Sequence, residues 1–211
     1  MDFEQLTAAV IHDLKNQMQT LVTESERIRQ AVPPSYTDSM DALLKRTRGI
    51  QSEISQLITL YQMKSHSIFT SDEAWPQSTL RMVTEQALVQ YPGVQIHITE
   101  GDDSPGFYND FLVQMALACM VTNSVQAGAT EVRLQVKTEG GTLMFSVSDN
   151  GPGFPDNILA GERISRRIGG TGLGLYFSEL VARHHHRGQQ KGHVSLSNNP
   201  EGGAQVTLTL P

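Results

Sequence analysis

The chain has 211 residues, 38% of them hydrophobic and 18% charged, which suits one large domain or two small ones and excludes a disordered chain. Its 16 basic and 22 acidic residues leave a formal charge of −6, which argues against a general nucleic-acid binder with a basic face. No apolar run of about 18 residues is present to span a bilayer, and the single Cys119 rules out an internal disulfide or a cysteine-rich zinc site.

The start, MDFEQLTAAVIHDLKNQ, is charged and amphipathic rather than a signal peptide, so the expected location is the cytoplasm. Phe3, Leu6, Val10, Leu14, Met18, Leu21, Ile28 and Val32 recur at helical steps with one gap, predicting a helix over residues 3–32. Pro33-Pro34 ends it, and Asp38 is the expected N-cap of a second helix. Met40, Leu43, Leu44, Ile50, Ile54, Leu57, Ile58 and Tyr61 carry the seam on to about Met63. Two such helices, each roughly 40 Å long, form an antiparallel hairpin. One hairpin cannot cover two apolar stripes; pairing two as a four-helix bundle does, so the pattern predicts a homodimer.

Lys64–Trp75 is polar and aperiodic and reads as a linker. Residues 1–68 sum to a formal −1 and residues 69–211 to −5. Ser78–Tyr91 reads as a helix, Val94–Thr99 as a strand, and Asn109–Gln126 as a long apolar helix. Glu131–Lys137 and Leu143–Ser148 alternate as two strands around Gly140-Gly141. Leu173–Arg183 is a short helix, and His193–Ser197 and Ala204–Leu210 are the last strands. Helices and antiparallel strands in this order predict an α+β two-layer sandwich. Met115, Met120 and Met144 read as core filling, and His184-His185-His186 as a helix end rather than a zinc site.

Four motifs carry candidate chemistry. In Asp149-Asn150-Gly151-Pro152-Gly153 the glycines let backbone pass close to a ligand, and the carboxylate can accept from an exocyclic amine; an ordinary turn explains it equally well. Gly169-Gly170-Thr171-Gly172-Leu173-Gly174-Leu175 runs into a helix and suits phosphate, without the Lys of a Walker loop or dinucleotide spacing. Asn123 can offer an oxygen to Mg²⁺ or simply bond backbone at a helix end. His12 lies about 200° round the helix from Val10 and Leu14, so it should face outward, beside Asp13, which can orient or deprotonate it.

Taken in order, these motifs resemble the sensor histidine kinases of two-component systems. His12–Gln17 is similar to the H box, Met115–Ala129 to the N box, Asp149–Gly153 to the first glycine box and Gly170–Leu175 to the second. Gly202-Gly203-Ala204 and the strand ending in Leu-Pro are similar to the family's C-terminal signature. The resemblance implies a helical-hairpin dimerisation and phosphotransfer domain, 1–68, followed by a Bergerat-type ATP-binding α/β sandwich, 69–211.

The resemblance also implies the roles. His12 would accept the phosphoryl group, with Asp13 as its base or orienting partner. Asn123 would hold Mg²⁺ and Asp149 would read the adenine amine of ATP. Gly151 and Gly153 would shape the adenine pocket, while Gly170, Thr171, Gly172, Leu173 and Gly174 would bind phosphate. The phosphoryl group would pass to the receiver domain of a response regulator. The two domains leave no residues for a sensor, so either the native chain extends beyond Met1 or a separate sensor protein supplies the input. Asn16 and Gln17, four and five residues after His12, are the amides that would orient water for dephosphorylation of that regulator. Cys119 stands where related ATPases and serine kinases carry a glutamate base, which argues against hydrolysis as the main task. The lid, Phe154–Gly169, is short and holds Arg163, Arg166 and Arg167, which read as a solvated basic face or as phosphate contacts. The alternative is a phosphotransfer or scaffold protein with a degenerate ATP site.

Overall fold

A computed structural model describes residues 3–65, 70–101, 103–160 and 173–211; the side chains of residues 3–12, 64 and 65 lie outside the described set. The chain divides into two compact units, Met1–His66 and Ser67–Pro211.

The first unit is a helical hairpin. Helices α1 (Phe3–Ala31) and α2 (Thr37–Ser65) have 29 residues each and are joined by a 3₁₀ turn, Pro34–Tyr36. The two prolines stop α1, as expected from their missing N–H groups. Asp38 is not the N-cap of α2: the 3₁₀ turn runs straight into that helix at Thr37, and Asp38 sits in its first turn, where its charge suits the helix dipole. Gln51 Nε2 donates to Gln19 Oε1 at 2.7 Å, Arg48 pairs with Glu26 at 2.7 Å, and Arg29 pairs with Asp41. These pairs fix the antiparallel register, although pairs exposed to this extent add little stability.

Among the described side chains of the hairpin, Val22 and Leu44 are the buried apolar ones, alongside the buried polar Ser25, Thr47, Gln56 and Thr59. Leu14, Leu21 and Ile28 on α1, and Leu43, Ile50 and Leu57 on α2, are 41–55% exposed. Each trio recurs every seven residues. The single seam expected from the sequence is therefore two stripes, a sparse one between the helices and an apolar one turned outward.

The second unit is a two-layer sandwich. Its five-stranded sheet has the order β2-β4-β5-β9-β8, from Gln95–Thr99, Glu131–Glu139, Thr142–Asp149, Ala204–Leu210 and His193–Asn198. Helices α3 (Pro76–Gln90), α4 (Asp110–Gln126) and α6 (Leu173–His184) pack on the sheet, and a single-turn helix, α5 (Asp156–Leu159), lies between α4 and α6 in sequence. Alternate residues Val132, Leu134 and Val136, then Leu143, Phe145 and Val147, then Val206, Leu208 and Leu210 are buried beneath them. Tyr108 closes the core edge-to-face on Phe145 with ring centroids 5.6 Å apart. Met120 is core filling, as expected, whereas Met144 lies half-buried on the opposite face of the sheet.

The sheet and the linker also differ from expectation. The sheet is mixed, because β2 pairs parallel with β4; α4 lies between them in sequence and returns the chain to the starting end, as a parallel pair requires. The expected linker also contains a strand: β1 (Asp72–Ala74) pairs antiparallel with β3 (Gly106–Tyr108).

The triple histidine is structural at its centre. His185 is buried; its Nε2 accepts from the Asn109 N–H at 2.9 Å and its Nδ1 donates to the Val181 carbonyl at 2.8 Å. These bonds define a neutral imidazole, and burial lowers its pKa below the ordinary 6.5. Beyond it, β6 (His186–Arg187) and β7 (Gln190–Lys191) form a small hairpin.

Candidate functional site

The chemistry-bearing residues of the second unit converge where β5, α4 and α6 meet. Asp149 is the last residue of β5 and is half-buried. Its Oδ1 accepts from the N–H groups of Gly151, at 2.8 Å, and Ala204, at 3.1 Å. Its Oδ2 accepts from the Ser124 hydroxyl at 2.7 Å. An ionised carboxylate has about four acceptor sites, so Oδ1 is full and Oδ2 retains room for one further donor.

Asn123 and Ser124 occupy the last turn of α4. That helix begins at an N-cap, Asn109, whose side chain accepts from the Leu112 N–H at 2.9 Å. Asn123 is half-buried against the first turn of α6, where a Cβ on Gly174 would come within 3.2 Å of its side-chain nitrogen. A glycine there lets the start of α6, with its N–H groups and positive dipole end, approach the asparagine. Leu173 opens the same turn. Gly170, Thr171 and Gly172, like Arg163, Arg166 and Arg167, lie outside the described residues.

The glycine motif after Asp149 is held from several sides. Asn150 Oδ1 accepts from the N–H groups of Thr130, at 2.9 Å, and Glu131, at 3.0 Å, tying the loop to the start of β4. Gly153 has φ +79°, a backbone state that favours glycine. Gly203 has φ +90°, and a Cβ on it would overlap the Asp149 carbonyl oxygen. Gly203 and Ala204 fall in the C-terminal signature, Asn150 in the Asp149 motif and Ser124 in the N box, but the sequence carries no sign of the bonds they make, and Asn198 lies in none of these motifs.

The donor set fits ATP with Mg²⁺. The vacant acceptor position on Asp149 matches an exocyclic amine, and Asn123 adds one hard oxygen beside a helix start. Among the described residues no group of three or more His, Cys, Asp or Glu side chains could hold a metal ion. Mg²⁺ takes one or two protein oxygens and completes its shell with phosphates and water, so a single asparagine oxygen is enough of a protein ligand. Cys119, one turn before Asn123, is buried, and desolvation pushes its thiol pKa up to about 12. It therefore cannot serve as a base for water near neutral pH.

The H-box residues belong to the first unit. Asp13, Asn16 and Gln17 are exposed on α1, and His12 lies in the same helix with its side chain outside the described set. No described helix is long and apolar enough to cross a membrane.

A family model for the histidine kinase-, DNA gyrase B- and HSP90-like ATPases matches residues 108–211. Residues 108–211 belong to this ATPase family. Over nearly its whole length the chain is similar to sensor histidine kinases. It is 26% identical to sporulation kinase B of Bacillus subtilis over 98% of this chain and 49% of that protein. It is 28% identical to a probable sensor histidine kinase of Mycobacterium tuberculosis over 90% of this chain and 52% of that protein. The chain thus spans about half the length of these curated relatives. The ATPase fold matches the ATP-binding domain of PrrB from Mycobacterium tuberculosis, with TM-score 0.52 and 23% identity over 67% of this chain and 96% of that one. Full-length ShkA, solved with AMPPNP, gives TM-score 0.67 and 19% identity over 100% of this chain and 46% of its own. At such identities the structural likeness speaks for the fold of the Bergerat-type ATPase domain.

Proposed function

We propose that the protein is a dimeric, cytoplasmic histidine kinase that moves the γ-phosphoryl group of Mg·ATP to His12 and then to an aspartate of a response-regulator receiver domain. The observation that carries this reading is the Asp149 carboxylate, fixed by three protein donors with one acceptor position left, in a chain homologous to histidine kinases. Asp149 reads the adenine amine, Gly151 and Gly153 shape the pocket, and Gly170, Thr171, Gly172, Leu173 and Gly174 bind phosphate. Asn123 supplies the protein ligand of Mg²⁺, which when bound neutralises phosphate charge. AMPPNP in the ShkA structure supports the same class of ligand. Phosphoryl transfer needs chiefly positioning and charge neutralisation, so the absence of a base at Cys119 is compatible with transfer to His12 and adverse to hydrolysis.

The hairpin, assigned to residues 1–68 with the ATPase domain at 69–211, is the dimerisation and phosphotransfer domain. Its two outward heptad stripes, and the few buried apolar side chains among the described ones, support burial against a second copy. Sedimentation is expected to show a dimer. Leu21→Glu combined with Ile50→Glu is expected to yield monomers with reduced helicity; an unchanged dimer rejects this interface.

Dephosphorylation of the regulator is assigned to Asn16, exposed four residues after His12. Asn16→Ala is expected to lose regulator dephosphorylation while retaining autophosphorylation, and normal dephosphorylation by the mutant rejects the assignment. Transfer of label from γ-labelled Mg·ATP separates the main readings. Acid-labile label present in wild type and absent in His12→Gln supports the kinase. No label, with phosphotransfer from a phosphorylated receiver, supports the relay or scaffold. Phosphate release that survives His12→Gln supports a simple ATPase.

A further inference from the structure

The loop from Asp149 to Phe154 stands with both feet on one hairpin, the turn between β8 and β9. At its first foot, Ala204 N–H donates to Asp149 Oδ1 and Gly203 lies against the Asp149 carbonyl. At its second foot, the side chain of Asn198, the last residue of β8, grips the backbone of Phe154 on both polar groups. Asn198 Oδ1 accepts from the Phe154 N–H at 2.7 Å, and Asn198 Nδ2 donates to the Phe154 carbonyl at 2.9 Å. The amide thus acts as one more rung of a ladder, paired to a segment that has left the sheet. Gly153 fits beneath it: at φ +79° a Cβ would lie 2.9 Å from Asn198 Oδ1. The turn itself is stiffened, with Asn199 N–H on the Gly203 carbonyl at 2.9 Å and Gly202 N–H on the Asn199 carbonyl at 3.0 Å.

We infer that Asn198 is a positioning residue for nucleotide binding, fixing the far end of the Gly151–Gly153 loop so that the loop is held ready beside the vacant acceptor of Asp149. The inference rests on the reading of Asp149 as the adenine contact. Asn198 is exposed and its side chain bonds the Phe154 backbone, whereas the other foot is the Ala204–Asp149 bond, so removing the amide frees one foot and leaves the other in place. A loop anchored at one end must be ordered when ligand arrives, and that entropy is taken from affinity.

The test measures Mg·AMPPNP affinity by calorimetry for the wild-type chain, Asn198→Ala, Gly153→Ala and the double variant, with hydrogen exchange at Phe154 in the ligand-free proteins. Loss of two neutral hydrogen bonds is expected to raise Kd roughly five- to tenfold in Asn198→Ala. Faster Phe154 exchange should accompany it, while exchange in the strands of the sheet stays unchanged. The KM for ATP should rise with the labelling rate at saturating ATP retained. Gly153→Ala should cost less affinity in the Asn198→Ala background, because the side chain it collides with is gone. Wild-type affinity in Asn198→Ala, or equal effects of Gly153→Ala in both backgrounds, overturns the inference alone. Failure of the wild-type chain to bind Mg·AMPPNP overturns the nucleotide reading, and the inference falls with it.

Discussion

His12→Gln is expected to take up no phosphoryl group from γ-labelled Mg·ATP, whereas the wild-type chain accumulates label that survives alkali and is lost in acid. The chemistry of the acceptor sets this all-or-none outcome. A neutral imidazole nitrogen attacks phosphorus with its lone pair, while an amide nitrogen has its lone pair delocalised into the carbonyl and cannot. The resulting nitrogen–phosphorus bond is acid-labile because protonation turns the imidazole into a good leaving group. Glutamine keeps helix propensity close to that of histidine, so α1 should persist. The variant changes no residue of the second unit, and its affinity for Mg·AMPPNP should equal that of wild type. Label retained in the variant at wild-type level would move the acceptor elsewhere.

The second large effect is expected at Asp149. Asparagine there can keep Oδ1 toward the N–H groups of Gly151 and Ala204, and the Ser124 hydroxyl can turn to accept from the new amide. The fold is therefore expected to survive. What changes is the edge left for ligand: an acceptor becomes a donor facing the donor amine of adenine. A lost charged hydrogen bond is worth about 1.5–3 kcal/mol, and the opposed donors add to it. Asp149→Asn is thus expected to weaken Mg·AMPPNP binding on the order of 100-fold or more, with a melting temperature near that of wild type. Asp149→Ala differs, because it also orphans two N–H groups and should lower stability. Binding by Asp149→Asn within a few-fold of wild type would remove Asp149 from the base-reading role.

Much of this was legible in the sequence because the signals are local. The strands β4, β5 and β9 alternate with period two, so their buried faces follow from Leu134, Phe145 and Leu208 and their neighbours. Asp149, Asn123 and Gly174 announce themselves by residue type beside a strand end, in a helix and at a helix start. The structure brings these three together through Ser124.

What escaped the sequence depends on distant pairing. The direction of β2 against β4 leaves no trace in the alternation of Val94–Thr99. A strand as short and polar as Asp72-Glu73-Ala74 is indistinguishable from linker until β3 lies beside it. Ser124 meets Asp149 across 25 residues, and Asn198 meets Phe154 across 44, so spacing could not reveal either. In the hairpin, steps of three and four merged two stripes into one. Only the fold shows that Leu14, Leu21 and Ile28 leave the Val22 side of α1 and turn outward.

Mapping of the phosphoryl group tests the central claim most directly. The wild-type chain is incubated with γ-labelled Mg·ATP, digested under alkaline conditions, and its labelled peptide sequenced. A single phosphoryl group on His12 is the expected result. Label on any other residue, or none from a chain that binds Mg·AMPPNP, would contradict the account.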